Sequence, residues 1–148
     1  MDKIAALTSS SLFDMLSTEE LEYVADLCRP RRFGPGEPIV QEGEMGDSLF
    51  VIARGEVDVV RPDSGGTLKT LATLGPGKFF GEMSLIDKEV RSATVRARSE
   101  CELLHLTAEN LTSFRKNHRD GFTFVMINIA RVLSTRLREA NARLATRL

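Results

Sequence analysis

The chain changes its hydrophobic rhythm twice. From Ser11 to Cys28 the apolar residues Leu12, Met15, Leu16, Leu21, Val24, Ala25 and Leu27 recur at helical spacing. Within that stretch Ser17-Thr18-Glu19-Glu20 supplies an N-cap serine with a glutamate at the capping-box position, and Arg29-Pro30 ends it. From Arg32 to about Leu106 short apolar segments alternate with glycine-centred turns: Gly34-Pro35-Gly36, Gly43 to Gly46, Gly55, Gly65-Gly66 and Gly75-Pro76-Gly77. This spacing predicts many short strands, hence a β-sandwich or barrel rather than an α/β sheet. Leu49-Phe50-Val51-Ile52, Glu56 to Val60 and Ala93 to Ala97 are the clearest strands, the last two with in/out alternation. Asp63-Ser64-Gly65-Gly66 predicts a hairpin turn joining Val57–Val60 to Leu68–Leu74.

After Leu106 the helical period returns. Thr107-Ala108-Glu109-Asn110 opens a short helix that turns Leu111 and Phe114 inward. A long helix follows from about Asp120, with Met126, Leu133, Leu137, Ala140 and Leu144 forming an apolar seam, while Arg131, Arg136, Arg138, Glu139 and Arg143 lie off or beside it. The chain's own barrel takes Phe122, Phe124 or Val125; the distal seam points to a partner helix from a second copy, a homodimer.

At 148 residues the chain fits one domain spanning 1–148, with N-terminal helices over about 11–30, a β-barrel over 31–106 and C-terminal helices over 107–148. A hydrophobic fraction of 42% and a charged fraction of 28% are globular values, and no apolar run approaches the roughly 20 residues of a membrane helix. Met1-Asp2-Lys3-Ile4 lacks the basic-then-apolar layout of a secretion signal, so a cytoplasmic location without membrane contact is expected. Net charge is −1, which steers the chain toward neither nucleic acid nor an anionic surface, and the basic run Arg29, Arg31, Arg32 reads as a solvated strand edge. Cys28 and Cys101 read as buried core thiols. His105 and His118 are too far apart for a paired-histidine metal site, and no G-x-S-x-G elbow is present, so neither a metal centre nor an enzyme is expected.

The chemistry concentrates in Phe79-Phe80-Gly81-Glu82-Met83-Ser84-Leu85-Ile86 and Arg91-Ser92-Ala93-Thr94-Val95. Arg91 offers a fixed fork of N–H groups suited to a phosphate, Gly81 lets the main chain come close, and a helical turn from Glu82 to Ile86 would aim N–H groups at the same anion. Glu82 only accepts hydrogen bonds when ionised, so beside an anion it calls for a ligand hydroxyl; it is equally able to pair with Arg91 and hold the guanidinium in place.

Taken together these residues resemble the phosphate-binding cassette of the cyclic-nucleotide-binding domain family, F-G-E-x-x-L, a short gap, then R-[SAT]-[AT]-x-V. Glu82 and Arg91 stand nine positions apart, as in the family's pattern. The similarity extends through Gly36-Glu37-Pro38-Ile39, Gln41 to Ile52 and Gly55-Glu56-Val57, covering about Leu12 to Leu144. Val90 departs from it, since several relatives carry proline there.

The resemblance implies a mainly β fold with flanking helices, a β-jelly-roll (double-stranded β-helix) barrel with N-terminal helices and a long C-terminal helix. It implies a non-catalytic regulatory module that binds cAMP ahead of cGMP and signals through its C-terminal helix to an effector protein. Arg91 would hold the exocyclic phosphate oxygens, Glu82 the ribose 2′-OH, and Gly81 would line the ribose side, with Met83 a further ligand-binding candidate. Main-chain N–H groups near Ser84, Ser92 and Ala93 would complete the cradle; the Ser92 hydroxyl can also reach a guanine. By analogy with catabolite-activator-type members, Asn141, flanked by Arg138 and Ala140, is the candidate for the base. DNA-binding relatives carry a helix-turn-helix after the long helix, and with the sequence ending at Leu148 no direct nucleic-acid contact is expected. A dimerisation scaffold with a vestigial pocket, or the sensor of a larger kinase, channel or regulator, are the alternatives.

Overall fold

The computed structural model describes residues 1–83 and 90–147. Helix α1 (Lys3–Thr8) starts on the Asp2 cap, a 3-10 turn covers Ser11–Phe13, and α2 (Thr18–Leu27) is closed at its N-terminus by the predicted capping box of Ser17 and Glu20. Among the described residues eight strands follow: β1 (Arg29–Phe33), β2 (Pro38–Val40), β3 (Ser48–Arg54), β4 (Val57–Pro62), β5 (Leu68–Leu74), β6 (Phe79–Phe80), β7 (Thr94–Ala97) and β8 (Cys101–Thr107). Thr107 then caps α3 (Ala108–Asn117), and α4 runs from Arg119 to Arg147.

The strands form two four-stranded sheets, ordered β1-β8-β3-β6 and β2-β7-β4-β5, with antiparallel neighbours throughout. This is the expected jelly roll. The hairpin at Asp63–Gly66 joins β4 to β5: Asp63 Oδ1 accepts from the N–H groups of Gly65 and Thr67, which closes the turn. Arg29, Arg31 and Arg32 lie exposed on β1, an edge strand, as the charge pattern indicated.

The run Leu49-Phe50-Val51-Ile52 shows no alternation because both faces of its sheet are covered. Leu49 and Val51 turn outward, joining Leu104, Leu106, Val24, Phe114, Val125 and Ile129 in a cluster under the helices. Phe50 and Ile52 turn inward, joining Val57, Phe80, Val95 and Leu103 inside the barrel. The first sheet is therefore the middle layer, between helices and the second sheet.

Three details add to the expectation or differ from it. Helix α1 was not anticipated: six residues with Ala6 and Leu7 buried are too short to show a period. It is fixed instead by Lys3, whose ammonium donates to the carbonyls of Ala25 and Cys28 at 3.1 and 2.9 Å, a cation on the C-terminus of α2. The helices expected from Ser11 to Cys28 are the 3-10 turn and α2, and Met15, at φ 76° with its side chain exposed, separates them. On α4, the seam splits: Met126 and Leu133 pack on the molecule's own helical cluster, whereas Leu137 and Leu144 stay exposed. Of the three residues assigned to the chain's own core, Val125 is buried and Phe122 packs against the same cluster, while Phe124 is half-buried.

Candidate functional site

A cavity of about 410 Å³ opens between the second sheet and the start of α4's distal half. Its far wall is aliphatic: Val40, Val59, Ala72, Leu74 and Val95, from β2, β4, β5 and β7. The opposite end is polar, with Gly81, Glu82, Arg91, Ser92 and Ala93 converging on it and Met83 and Val90 at the rim. One apolar end and one charged end suit a ligand with a flat ring and an anionic, hydroxylated tail.

Strand β6 aims the first half of the polar end. Phe79 and Phe80 are both buried, on opposite faces: Phe79 joins the helical cluster and Phe80 stacks on Phe50 at 5.2 Å inside the barrel. Two aromatic anchors thereby fix where the chain leaves the sheet. Gly81 follows at φ 91°, a conformation that costs a side-chain-bearing residue heavily. A Cβ there would lie 2.6 Å from Arg91 Nη1 and 2.7 Å from the Ser48 carbonyl oxygen, so glycine is required by the close approach as well as by the turn. Glu82 and Met83 adopt helical backbone beyond it, and Glu82 is buried at 4% exposure.

The second half is held by the turn before β3. Arg91 N–H donates to the Glu44 carbonyl at 2.7 Å, Gly43 N–H donates to the Arg91 carbonyl at 2.9 Å, and Met45 and Val90 form a bridge. Arg91 is buried at 8% exposure; its Nη2 donates to the Ser48 carbonyl at 2.9 Å and Nη1 to that of Gly81 at 3.4 Å. Burial pulls the Arg91 guanidinium below its ordinary pKa, against the opposing pull of Asp47, Glu44 and Glu82. It remains a cation at neutral pH, poorly hydrated and beside an open cavity, which is the electrostatic condition for gripping an anion.

Glu82 is not paired with Arg91. Its Oε1 accepts from Arg136 Nη1 at 2.9 Å, and Arg136 reaches the cavity from α4 with its guanidinium 5.9 Å from the Phe79 ring centroid. From sequence alone, Arg136 lies off or beside the helix seam and is not a candidate for the site. The available signal was the stripe Val125, Ile129, Val132, Arg136, whose first three members are buried or half-buried at helical spacing, so that the fourth is carried onto the same face.

Of the predicted site residues, Gly81, Glu82, Met83, Arg91, Ser92 and Ala93 are brought together around this cavity. Ser84 lies outside the described residues, as do Leu85 and Ile86. Asn141 is exposed on α4, roughly 140° around the helix from Arg136, and does not line the cavity. Cys28 and Cys101 are buried free thiols, the first pushed up to about 12 by burial and thus unreactive. His105 stacks on Phe50 within the barrel and His118 caps α3 against Tyr23. Among the described residues no cluster of His, Cys, Asp or Glu is placed to hold a metal ion, and no helix is long and apolar enough to cross a membrane.

The comparisons with known proteins agree with this geometry. The chain is 38% identical over 138 residues to the cyclic AMP receptor protein of Thermus thermophilus, covering 93% of this chain and 62% of that one. It therefore spans less than two thirds of that relative's length. A cyclic nucleotide-binding domain from Methylobacillus flagellatus superposes with a TM-score of 0.86 at 27% identity, over 99% of this chain and 82% of that chain. The regulatory domain of Toxoplasma gondii PKA, crystallised with cAMP, gives a TM-score of 0.69 at 26% identity, over 76% and 42% of the two chains. Residues 30–118, which hold seven of the eight described strands, all of β1 but its first residue, and both halves of the polar cradle, match the cyclic nucleotide-binding domain, and the chain belongs to that family.

Proposed function

We propose that this chain is a non-catalytic, cytoplasmic sensor of a cyclic nucleotide, with cAMP preferred over cGMP, whose output is a change in the position of α4. One observation carries the reading: a buried guanidinium, Arg91, and a buried carboxylate, Glu82, share one cavity whose opposite wall is aliphatic. The cation suits the phosphodiester, the carboxylate a ribose hydroxyl, and the Val59, Ala72 and Leu74 wall a purine. The preference for cAMP is supported by the T. thermophilus receptor's name and by the cAMP held in the T. gondii domain.

The output follows from where α4 meets the cavity. Arg136 is its contact with the polar end, so a ligand entering beside Glu82 changes what the helix touches and shifts its equilibrium. Asn141 meets the base only with α4 displaced from its present setting. An effector, or a further part of a longer protein, would read that displacement. The exposed stripe Ile127, Ala130, Ser134, Leu137, Asn141, Leu144 repeats with alternating three- and four-residue steps, which supports a second copy packing along α4.

Isothermal titration with cAMP and cGMP tests the reading. Micromolar or tighter cAMP binding is expected, with Arg91→Ala losing about 2–5 kcal/mol because it strands a desolvated phosphate. A nucleotide at about 100 times its Kd should also stabilise the fold by roughly 2.7 kcal/mol. No binding by either nucleotide up to millimolar concentration, or an unchanged affinity in Arg91→Ala, would reject the sensor in favour of a scaffold with an idle pocket.

A further inference from the structure

Among the described residues the two sheets have four edge strands, and three of them are guarded. Strand β1 carries Pro30 and the exposed Arg29, Arg31 and Arg32. Strand β2 is three residues long and starts on Pro38, and β6 is two residues long. Short length, proline and charge all hinder another chain from adding to an edge. Strand β5 has none of these guards. It runs for seven residues, Leu68-Lys69-Thr70-Leu71-Ala72-Thr73-Leu74, and all but Leu74 are exposed. Leu68 and Leu71 are 48% and 60% exposed. The single charged residue, Lys69, lies 3.7 Å from Asp63 Oδ2 of its own hairpin. Among the described residues β5 ladders only with β4, so its other side offers a row of backbone N–H and C=O groups to a further strand.

We infer that β5 is a pairing edge for a second copy of this chain: two β5 strands, antiparallel about a two-fold axis, join the second sheets of two molecules into one. The strand is self-complementary. Ala72 and Leu74 stand opposite Val59 and Val57 on the cavity side, and the bulge at Leu71 returns Lys69, opposite Arg61, to that same side. Thr70 and Thr73, opposite Val60 and Asp58, occupy the other face. Directly opposed residues of an antiparallel pair share a face. Setting Lys69 against Leu74 of the second copy therefore also sets Thr70 against its Thr73 and Leu71 against its Ala72, with the two bulges adjacent. No like charges oppose each other in this register, and the threonines form a favourable cross-strand pair. With one charge along its length, the edge has nothing by which to select an acidic or a basic segment; the pattern it matches is its own. A pair of seven-residue strands alone buries less than the roughly 1,200 Å² of a stable interface, so the association is weak and needs high concentration. It is separable from packing along α4, which uses Leu137 and Leu144, and it does not depend on the nucleotide.

The experiment uses the full chain without nucleotide. Light scattering over a micromolar-to-millimolar series follows the mass of the wild type, Leu71→Lys, Leu71→Thr and Leu137→Ser/Leu144→Ser, after circular dichroism melts show that each is folded. Hydrogen exchange of the wild type at both ends of the series reads the edge directly. The wild type should pass from monomer to dimer, with the amides of residues 68–74 protected at least about tenfold more in the concentrated sample than in the dilute one. Leu71→Lys gives β5 the kind of guard that β1 already has and should raise the midpoint concentration at least about tenfold, whereas Leu71→Thr, an uncharged strand former, should leave it within about threefold. A wild type that stays monomeric throughout overturns the inference. So does a dimer whose β5 amides exchange as fast as those of the monomer. A dimer lost in Leu137→Ser/Leu144→Ser but indifferent to Leu71→Lys belongs to α4 and overturns it as well. Because exchange is read on the unaltered chain, a variant that fails to fold does not remove the test.

Discussion

Between Arg119 and Leu133, α4 is part of the core; from Ser134 to Ala145 it is largely exposed. In the first half Val125 and Ile129 are 0% and 1% exposed, and the buried Asn128 donates through Nδ2 to the carbonyls of Leu12 at 3.0 Å and Asp14 at 2.9 Å. From Ser134 to Ala145 Ala140 alone is even half-buried, and one tie to the rest of the molecule is the Arg136–Glu82 ion pair. Full burial of a Val or Ile side chain contributes about 1.5–3 kcal/mol, whereas an ion pair with one half-exposed partner contributes at most about 1 kcal/mol. One continuous helix thus joins a buried anchor to a largely exposed second half, the lever on which the proposed ligand-driven movement would act.

The largest expected effect probes the anchor. Ile129→Ala should lower the unfolding free energy by about 2–5 kcal/mol, seen as a reduced urea midpoint, because the fully packed cluster beneath the helices leaves a cavity in its place. A loss below about 1 kcal/mol would mean that the first half is no better held than the second. Asn128→Ala should cost less, about 1–3 kcal/mol, by stripping the donors from two carbonyls just ahead of the turn at Met15. Hydrogen exchange should then quicken across residues 11–16 while the barrel strands keep their protection. Uniform loss of protection would erase the distinction between an anchored turn and an anchored core.

The anchor and the lever were unequally legible in the sequence. The cradle could be read because its constraints are local: Gly81 must be a glycine, Glu82 follows it, and Arg91 returns after a short gap to the same turn. The barrel could be read because glycine turns punctuate it, and the helix caps at Ser17 and Thr107 because their partners lie three residues away. Arg136 was out of reach for the opposite reason. Its partner is 54 residues distant, and α4 presents apolar residues on two sides. A seam drawn through Met126, Leu133, Leu137, Ala140 and Leu144 crosses from one side to the other, because periodicity alone does not say which face the fold consumes. The break at Met15 was hidden similarly, since a non-glycine residue in the left-handed region carries no turn signal and is held there by Asn128 from the other end of the chain.

The smallest expected effect probes the lever's outer face. Leu137 and Leu144 are 63% and 59% exposed, so replacing both by serine removes little buried area and should alter the unfolding free energy of a dilute sample by at most about 0.5 kcal/mol. The same double variant should nevertheless matter at high concentration if a second copy lies along α4, because these two leucines are the largest apolar side chains that the distal stripe offers a partner. Light scattering of the wild type and Leu137→Ser/Leu144→Ser across a concentration series, with and without cAMP, separates the cases. A dimer lost in the variant, with nucleotide affinity changed in the same samples, would place the lever inside an interface and make its freedom a property of the pair. A monomer throughout assigns any such freedom to the single chain, and the contrast between the two halves of α4 is then one of burial within that chain.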